Sequence, residues 1–162
     1  MTTSYCEIES PIGPLLLVAD GGGLRQVHFC NGRHPAKPDS SWEQNPKALR
    51  ETIRQLKAYF AGTLQNFDIT LSPQGTSFQL EVWKRLREIP YGETISYGEL
   101  ARRIGNPNAS RAVGLANGSN PIPIIIPCHR VIGSNGKLTG YGGGLPIKEK
   151  LLALERRQLQ LL

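Results

Sequence analysis

Cys128 is the residue of this chain whose surroundings best fit a chemically reactive side chain. It follows the apolar run Ile124–Ile126 and Pro127, and His129 and Arg130 come directly after it. A thiol attacks as the thiolate, and a nearby imidazole or guanidinium lowers its pKa from about 8.5. Neighbouring side chains of an extended chain point to opposite faces, so we expect a water molecule to carry the proton from Cys128 to His129. A Cys–His pair alone is weak evidence, and a structural role stays open at this point.

The other two cysteines, Cys6 and Cys30, lie far from Cys128 in the sequence. Three cysteines with this scatter fit neither a disulfide framework nor a four-cysteine zinc site. Free cysteine is among the most buried residue types, so we interpret Cys6 and Cys30 as small apolar residues without a chemical role.

The positive charge of the chain is confined to its second half. The 162 residues carry a formal net charge of +6. Seven basic and seven acidic residues precede Pro73, whereas the rest of the chain holds twelve basic and six acidic residues. A local positive excess favours a polyanionic partner, because each neutralised phosphate releases counterions. A solvated basic face would give the same count, so charge alone does not decide.

The composition excludes some classes of protein. Hydrophobic residues make up 39% and charged residues 20% of the chain, which is typical of a folded protein rather than a disordered one. No apolar run approaches the roughly 18–20 residues of a membrane-spanning helix. The first ten residues include Glu7 and Glu9 and no basic segment, unlike a secretory signal. We therefore expect a cytoplasmic protein that does not bind or cross a membrane.

The first half of the chain is predicted to form a small antiparallel sheet with one helix. Short apolar runs alternate with turn sequences rich in glycine and proline. Pro46 begins a helix with regularly spaced apolar residues that ends at Gly62, and residues 31–45 are expected to be a surface loop. The predicted strands are Ser4–Ile8, Leu15–Ala19, Leu24–Phe29 and Phe67–Leu71.

The second half is predicted to begin with short helices. Residues 76–79 and 96–99 each fit a capping box at a helix start. The second of these helices ends at residues 105–107, and Asn108 or Ser110 is expected to cap the next one. Two short helices joined by a tight turn form a helix-turn-helix pattern, which many small helical domains also contain.

Beyond this pair of helices, residues 121–126 are predicted to be extended because they are apolar and contain prolines. The glycine-rich residues 133–144 are expected to form a loop or tight hairpin. A closing helix is predicted from Pro146 onward, with leucines at helical spacing.

A longer sequence around Cys128 resembles the active-site signature of the O6-alkylguanine-DNA alkyltransferases, the direct-reversal DNA repair proteins. It reads IIIPCHRVI at residues 124–132. The close resemblance covers about residues 76–155, and the first half of the chain matches only loosely. The other matching segments are IPYGETISY at 89–97, GNP at 105–107, RAVG at 111–114, Asn120-Pro121, GYGGG at 140–144 and KEKLL at 148–152.

The resemblance implies transfer of an alkyl group from guanine O6 in double-stranded DNA, and less readily from thymine O4, to the sulfur of Cys128. An sp3 carbon requires a soft nucleophile, which a thiolate is. The thioether product resists hydrolysis, so each molecule acts once as a methylated-DNA–protein-cysteine methyltransferase without cofactor or metal. The expected partner is duplex DNA containing O6-alkylguanine, bound by a protein that is monomeric off DNA.

The resemblance also implies the catalytic roles of particular residues. Cys128 is the acceptor, His129 activates it through water, and Glu155 orients the other ring nitrogen of His129. Tyr97 donates toward the leaving guanine and helps to rotate the nucleotide out of the helix. Asn120 braces the recognition helix against the active-site segment.

The guanine pocket implied by the resemblance is built from the second half of the chain. The backbone carbonyls of Cys128 and Val131 bind the guanine amine, and Tyr141 lines the pocket. Gly142 stands where some family members have a serine, so only its backbone is expected to assist at O6. Thr139 occupies a position that a smaller residue often fills in the family, which argues against acceptance of bulky aryl groups from the DNA.

The DNA surface implied by the resemblance is the helix around residues 110–117, lying against the minor groove. Arg111 is expected to enter the base stack in place of the everted nucleotide, since a base inside a duplex is inaccessible. Residues 117–119 differ from better-known members of the family. The remaining expected DNA contacts are Tyr97, Ser110, Ala112 and Gly114. The small side chains of Ala112, Gly114 and Ala116 are expected to permit close approach of the helix to DNA.

The resemblance implies an α+β protein with two domains. Residues 1–72 are expected to form a scaffold with a small antiparallel sheet and a helix, similar to ribonuclease-H-like folds. Residues 73–162 are expected to form a mostly helical, winged-helix-like domain that carries the acceptor cysteine and the DNA surface.

Two other classes of protein provide alternatives. An alkyltransferase-like damage sensor binds DNA without reacting, but such proteins have tryptophan at the position of Cys128. A cysteine hydrolase would use Cys128, His129 and Glu155 with repeated turnover. That reaction needs an oxyanion hole, for which we identify no residues in the sequence, and it leaves Arg111 and the pair of short helices without a function.

Overall fold

The computed structural model describes residues 2–31, 36–141 and 143–160. The chain divides into two units, Met1–Gln74 and Gly75–Leu162, which are described separately. Among the described residues, none of the helices combines the length and the apolar character that a membrane crossing requires.

The first unit is a four-stranded sheet with one helix. The elements are β1 (Ser4–Ile8), β2 (Leu15–Asp20), β3 (Gly23–Phe29), β4 (Glu43–Gln44), a 3-10 turn (Pro46–Leu49) and α1 (Arg50–Phe60). Strand β2 is central, and its apolar residues 15–19 are all buried because both faces of the sheet are covered here. The antiparallel order β3-β2-β1 agrees with the predicted strands.

Two predictions for the first unit are wrong. Strand β4 lies within the expected loop and pairs in parallel with β1, because only the folded chain brings these segments together. Residues 67–71 do not form a strand, apart from a single bridge between Leu71 and Leu24. The side chain of Gln55 on α1 accepts from the N–H of Asp68 at 2.8 Å and donates to its carbonyl at 2.9 Å. The backbone of Asp68 therefore has the hydrogen bonds that a neighbouring strand would otherwise supply.

The second unit is mostly helical, with one short parallel strand pair, β5 (Ile95–Ser96) and β6 (Val131–Ile132). The predicted capping box of α2 is confirmed, since Thr76 and Gln79 exchange hydrogen bonds of 3.1 and 2.9 Å. Helix α4 follows Ala109 without a side-chain cap, so the predicted cap is wrong. The elements are α2 (Ser77–Leu86), β5 (Ile95–Ser96), α3 (Tyr97–Arg103), α4 (Ser110–Gly118), a 3-10 turn (Cys128–Arg130), β6 (Val131–Ile132) and α5 (Leu145–Gln160). The predicted α+β class is confirmed.

Candidate active site

Residues 119–127, between α4 and Cys128, fold as a series of turns. Asn120 organises them: its Oδ1 accepts from the N–H of Ile122 at 2.9 Å, and its Nδ2 donates to the carbonyl of Ile126 at 2.7 Å. Ile124 has a φ of 75°, a rare conformation for a β-branched residue that costs about 1–3 kcal/mol. The predicted extended conformation is therefore wrong, because Asn120 supplies hydrogen bonds that keep the segment folded upon itself.

Cys128 begins a 3-10 turn. Pro127 has φ −81° and ψ 64°, values typical of an inverse γ-turn. The N–H of Cys128 accordingly donates to the carbonyl of Ile126 at 2.8 Å. Cys128 and His129 therefore lie in a turn rather than in the extended chain that the sequence suggested.

His129 and Glu155 form a fully buried hydrogen bond. Nε2 of His129 donates to Oε2 of Glu155 at 2.7 Å, and both side chains have 0% exposure. Burial lowers the pKa of His129, although Glu155 opposes this effect, so the imidazole is neutral at physiological pH. With its proton on Nε2, the ring presents Nδ1 as an acceptor, and this atom is buried with no hydrogen-bond partner among the described residues.

Arg130 pairs with the same carboxylate, a contact that the sequence interpretation missed. Its Nε and Nη2 donate to the two oxygens of Glu155 at 2.9 and 3.0 Å, a bidentate ion pair. Its Nη1 donates to the carbonyl of Ile89 at 2.7 Å, and the guanidinium lies 5.7 Å from the ring centre of Tyr91. Arg130 is therefore a buried cation whose charge is balanced by Glu155.

The carboxylate of Glu155 is held in its ionised form. Burial alone would raise its pKa, but hydrogen bonds from His129 and Arg130 and the positive charge of Arg130 outweigh burial and hold the pKa well below the usual range. The N–H of Gly92 adds a hydrogen bond of 3.1 Å to Oε1. Gly92 has a φ of 80°, and a Cβ there would lie 2.0 Å from a Leu159 methyl carbon, so the turn requires glycine.

The thiol of Cys128 is buried, with 5% of the residue exposed. Burial raises its pKa, while hydrogen bonds from Asn120 and Tyr141 and the charge of Lys148 act in the opposite direction. The net result is a protonated thiol at rest. A reaction through the sulfur therefore needs a base, and Nδ1 of His129 is a buried nitrogen with that capacity.

Lys148 is a second buried cation that the sequence interpretation missed. It lies on α5 with 0% exposure, and its Nζ donates to the carbonyls of Val131 and Thr139 at 2.7 and 2.8 Å. Burial lowers the pKa of Lys148, and Cys128 raises it. Lys148 thus ties the glycine-rich loop to β6 and adds positive charge near the sulfur.

Both carbonyls that the sequence assigned to the guanine amine already accept hydrogen bonds. The Val131 carbonyl accepts from Lys148. The Cys128 carbonyl accepts from the N–H of Val131 and, at 3.4 Å, from Nδ2 of Asn117 on α4. A carbonyl oxygen has two lone pairs, so an amine could join the Val131 carbonyl directly, whereas at Cys128 it would compete with Asn117.

Tyr97, Thr139 and Gly114 come together beside this site. Oγ1 of Thr139 donates to the hydroxyl oxygen of Tyr97 at 3.0 Å. A Cβ at Gly114 would lie 3.8 Å from the Tyr97 ring, so the ring packs over the backbone of α4. Gly142, also assigned to the pocket, lies outside the described residues, and its neighbour Tyr141 is half-buried.

Helix α4 exposes one face, and the predicted DNA contacts do not all lie on it. Ala116 is buried, and its carbonyl accepts from Nε1 of Trp83 at 2.8 Å, so its expected position at the DNA surface is wrong. Ser110 and Gly114 are half-buried. The sequence interpretation also missed Leu115, whose 71% exposure is unusual for so large an apolar residue. The exposed residues of α4 are Arg111, Ala112, Leu115 and Gly118.

Comparison with known proteins gives concordant results for both units. The DNA binding domain of 6-O-methylguanine DNA methyltransferase matches residues 77–157, and the ribonuclease-like domain of the same protein matches residues 3–73. A methylated-DNA–protein-cysteine methyltransferase of Methanosarcina acetivorans is 61% identical, covering 93% of this chain and 97% of the relative. One of Mycobacterium tuberculosis is 54% identical, over 94% of this chain and 92% of the relative.

A solved structure supports the same assignment. The crystal structure of M. tuberculosis OGT in complex with DNA superposes with a TM-score of 0.89 at 53% identity, covering 96% of this chain and 94% of that one. Both domains and the site with its cysteine, histidine and glutamate define a DNA repair protein that transfers alkyl groups to one of its own cysteines.

The chain belongs to the 6-O-methylguanine DNA methyltransferase family. Its enzyme class is methylated-DNA–protein-cysteine methyltransferase, and DNA is its partner. The predictions of family, enzyme class and DNA partner are therefore confirmed.

Proposed function

We propose that Cys128 accepts the alkyl group of O6-alkylguanine, and less readily that of O4-alkylthymine, in a single irreversible turnover. The observation that carries the proposal is the buried His129–Glu155 hydrogen bond beside the cysteine. It fixes the imidazole tautomer with Nδ1 as the base, so a bridging water can take the thiol proton to that atom. The ion pair with Arg130 keeps Glu155 anionic and so preserves this tautomer.

The proposed reaction is an in-line displacement at the alkyl carbon. The sulfur forms a bond to carbon, the bond from carbon to O6 breaks, and its electron pair stays on the guanine. Tyr97 donates a proton to the leaving base, and the proton of Cys128 resides on His129. The thioether has no route back to a thiol, so one molecule repairs one base.

We propose that the damaged nucleotide rotates out of the duplex and that Arg111 fills the gap. Arg111 is exposed and has no ion-pair partner in the described part of the chain. The sulfur is buried, so a base inside the stack would remain out of its reach. Residues 73–162 would bind DNA and accept the alkyl group, and residues 1–72 would act as a scaffold. The protein would act as a monomer in the cytoplasm, where its thiol stays reduced.

Arg111→Ala should slow methyl transfer from a duplex at least tenfold, about 1.4 kcal/mol of activation free energy, because nothing then replaces the everted base. On a single-stranded oligonucleotide the variant should react like the wild type. The measurement is the single-turnover rate constant on each substrate.

The matched control for this prediction is Arg102→Ala on α3. Arg102 is equally basic and exposed, but it already forms an ion pair with Glu99. An equal loss of rate in both variants would mean that Arg111 contributes only general positive charge.

The experiment that tests the proposed function is mass spectrometry of the protein after incubation with duplex DNA containing O6-methylguanine. We expect the mass of each protein molecule to increase by that of one CH2, because one methyl group replaces one proton. Peptide mapping should locate the methyl group on Cys128. Cys6 and Cys30 serve as internal controls and should remain unmodified. An unmodified protein that binds DNA would support a damage sensor, and product formation beyond one equivalent would support a hydrolase. Either outcome would overturn the proposal.

A further inference from the structure

The hydrogen bond between Thr139 and Tyr97 joins two parts of the second unit that are 42 residues apart in sequence. Tyr97 is the first residue of α3, whereas Thr139 lies in the glycine-rich loop between β6 and α5. Oγ1 of Thr139 donates to the phenol oxygen at 3.0 Å. Neither side chain is needed for the core, since Thr139 is exposed and Tyr97 is half-buried.

The backbone of Thr139 is itself held in place. Nζ of the fully buried Lys148 donates to the Thr139 carbonyl at 2.8 Å and to the Val131 carbonyl at 2.7 Å. Val131 follows directly on the 3-10 turn that contains Cys128. The phenol oxygen of Tyr97 is therefore connected, through Thr139 and Lys148, to the element that presents the sulfur.

We propose that Thr139 is a positioning residue that prepares Tyr97 to donate its proton to the leaving guanine. This inference rests on the proposed alkyl transfer. A phenol has one O–H to donate, and its oxygen accepts hydrogen bonds from others. Because Thr139 occupies an acceptor site of the oxygen, the O–H of Tyr97 must point elsewhere. Packing of the ring over Gly114 further limits its orientation.

The same hydrogen bond acts on the charge that develops during transfer. When the bond between carbon and O6 breaks, the guanine takes the proton of the Tyr97 hydroxyl, and negative charge grows on the phenol oxygen. A donor already aimed at that oxygen stabilises the charge without reorganisation. Solvent then exchanges the protons of His129 and Tyr97, so the net reaction moves one alkyl group to sulfur and one proton to guanine.

The test compares Thr139→Val, which keeps the shape and removes the hydroxyl, with Thr139→Ser, which keeps the hydroxyl. We expect Thr139→Val to lower the single-turnover rate constant for O6-methylguanine duplex about tenfold, the effect of one lost hydrogen bond in the transition state. Thr139→Ser should react within about twofold of the wild type. The dissociation constant for the same duplex should not change in either variant.

A double-mutant cycle distinguishes positioning of Tyr97 from a general effect on the loop. In a Tyr97→Phe background, Thr139→Val should cause no further loss of rate, because no phenol oxygen remains to accept the hydrogen bond. The inference is overturned by a wild-type rate in Thr139→Val, by an equal loss in Thr139→Ser, or by the same loss in the Tyr97→Phe background. Absence of methyl transfer in the wild-type protein would instead overturn the proposed function.

Discussion

Replacing Cys128 with serine should abolish methyl transfer and leave binding to the damaged duplex unchanged. The reaction at an sp3 carbon needs a soft, polarisable nucleophile, and a serine hydroxyl is neither soft nor readily deprotonated by a neutral imidazole. The substitution hardly alters side-chain size, so the turn that contains residue 128 should be preserved. Because only 5% of Cys128 is exposed, it offers little surface to DNA.

The measurements for this variant are protein mass after incubation with O6-methylguanine duplex and fluorescence anisotropy for binding. Cys30→Ser is the control, because Cys30 is half-buried and lies in the first unit. That variant should transfer one methyl group, as the wild type does. Stoichiometric methylation of the Cys128→Ser protein would show that another residue is the acceptor.

Local sequence patterns predicted those elements whose hydrogen bonds are local. The capping box of α2 involves residues three apart, so the local sequence alone identifies it. Strand β4 was not predicted because it depends on pairing with β1, which is distant in sequence. The turns of residues 119–127 were not predicted because they depend on the side chain of Asn120. Asn120 overrides the β preference of the isoleucines that follow it by hydrogen-bonding two backbone groups of its own segment.

The burial of the two cations Lys148 and Arg130 was not predicted for a different reason. Lys148 and Glu155 are spaced seven residues apart on α5, with Leu151 and Leu152 between them, which is the spacing of one helix face. Helical periodicity could therefore have predicted that both side chains are buried. The partner of Arg130 lies 25 residues away in sequence, so no local pattern pairs it with Glu155.

Glu155→Gln should lower the free energy of unfolding by about 3–5 kcal/mol, the usual cost of breaking a buried ion pair from one side. Glutamine matches the shape of the side chain but leaves the buried guanidinium of Arg130 without a counter-charge. The measurement is urea denaturation at pH 7. Glu81→Gln is the matched control, since Glu81 pairs with Arg85 on the exposed surface of α2, where solvent screens the charges and loss of the pair should have little effect on stability.

A second variant and a pH series separate charge from packing in the Glu155 prediction. Arg130→Met combined with Glu155→Gln should recover much of the lost stability, because no unpaired charge then remains buried, yet it should not recover methyl transfer.

The pH series tests the charge of Glu155. Folding lowers the pKa of Glu155, so its carboxylate stabilises the fold fully above the unfolded pKa of about 4.3. This stabilisation is lost as the pH falls from there through the lower pKa of the folded protein. The deficit of Glu155→Gln should therefore shrink below about pH 4. A deficit that is equally small in Glu155→Gln and Glu81→Gln would contradict the assignment of Glu155 as the counter-charge that holds Arg130 and His129 in place.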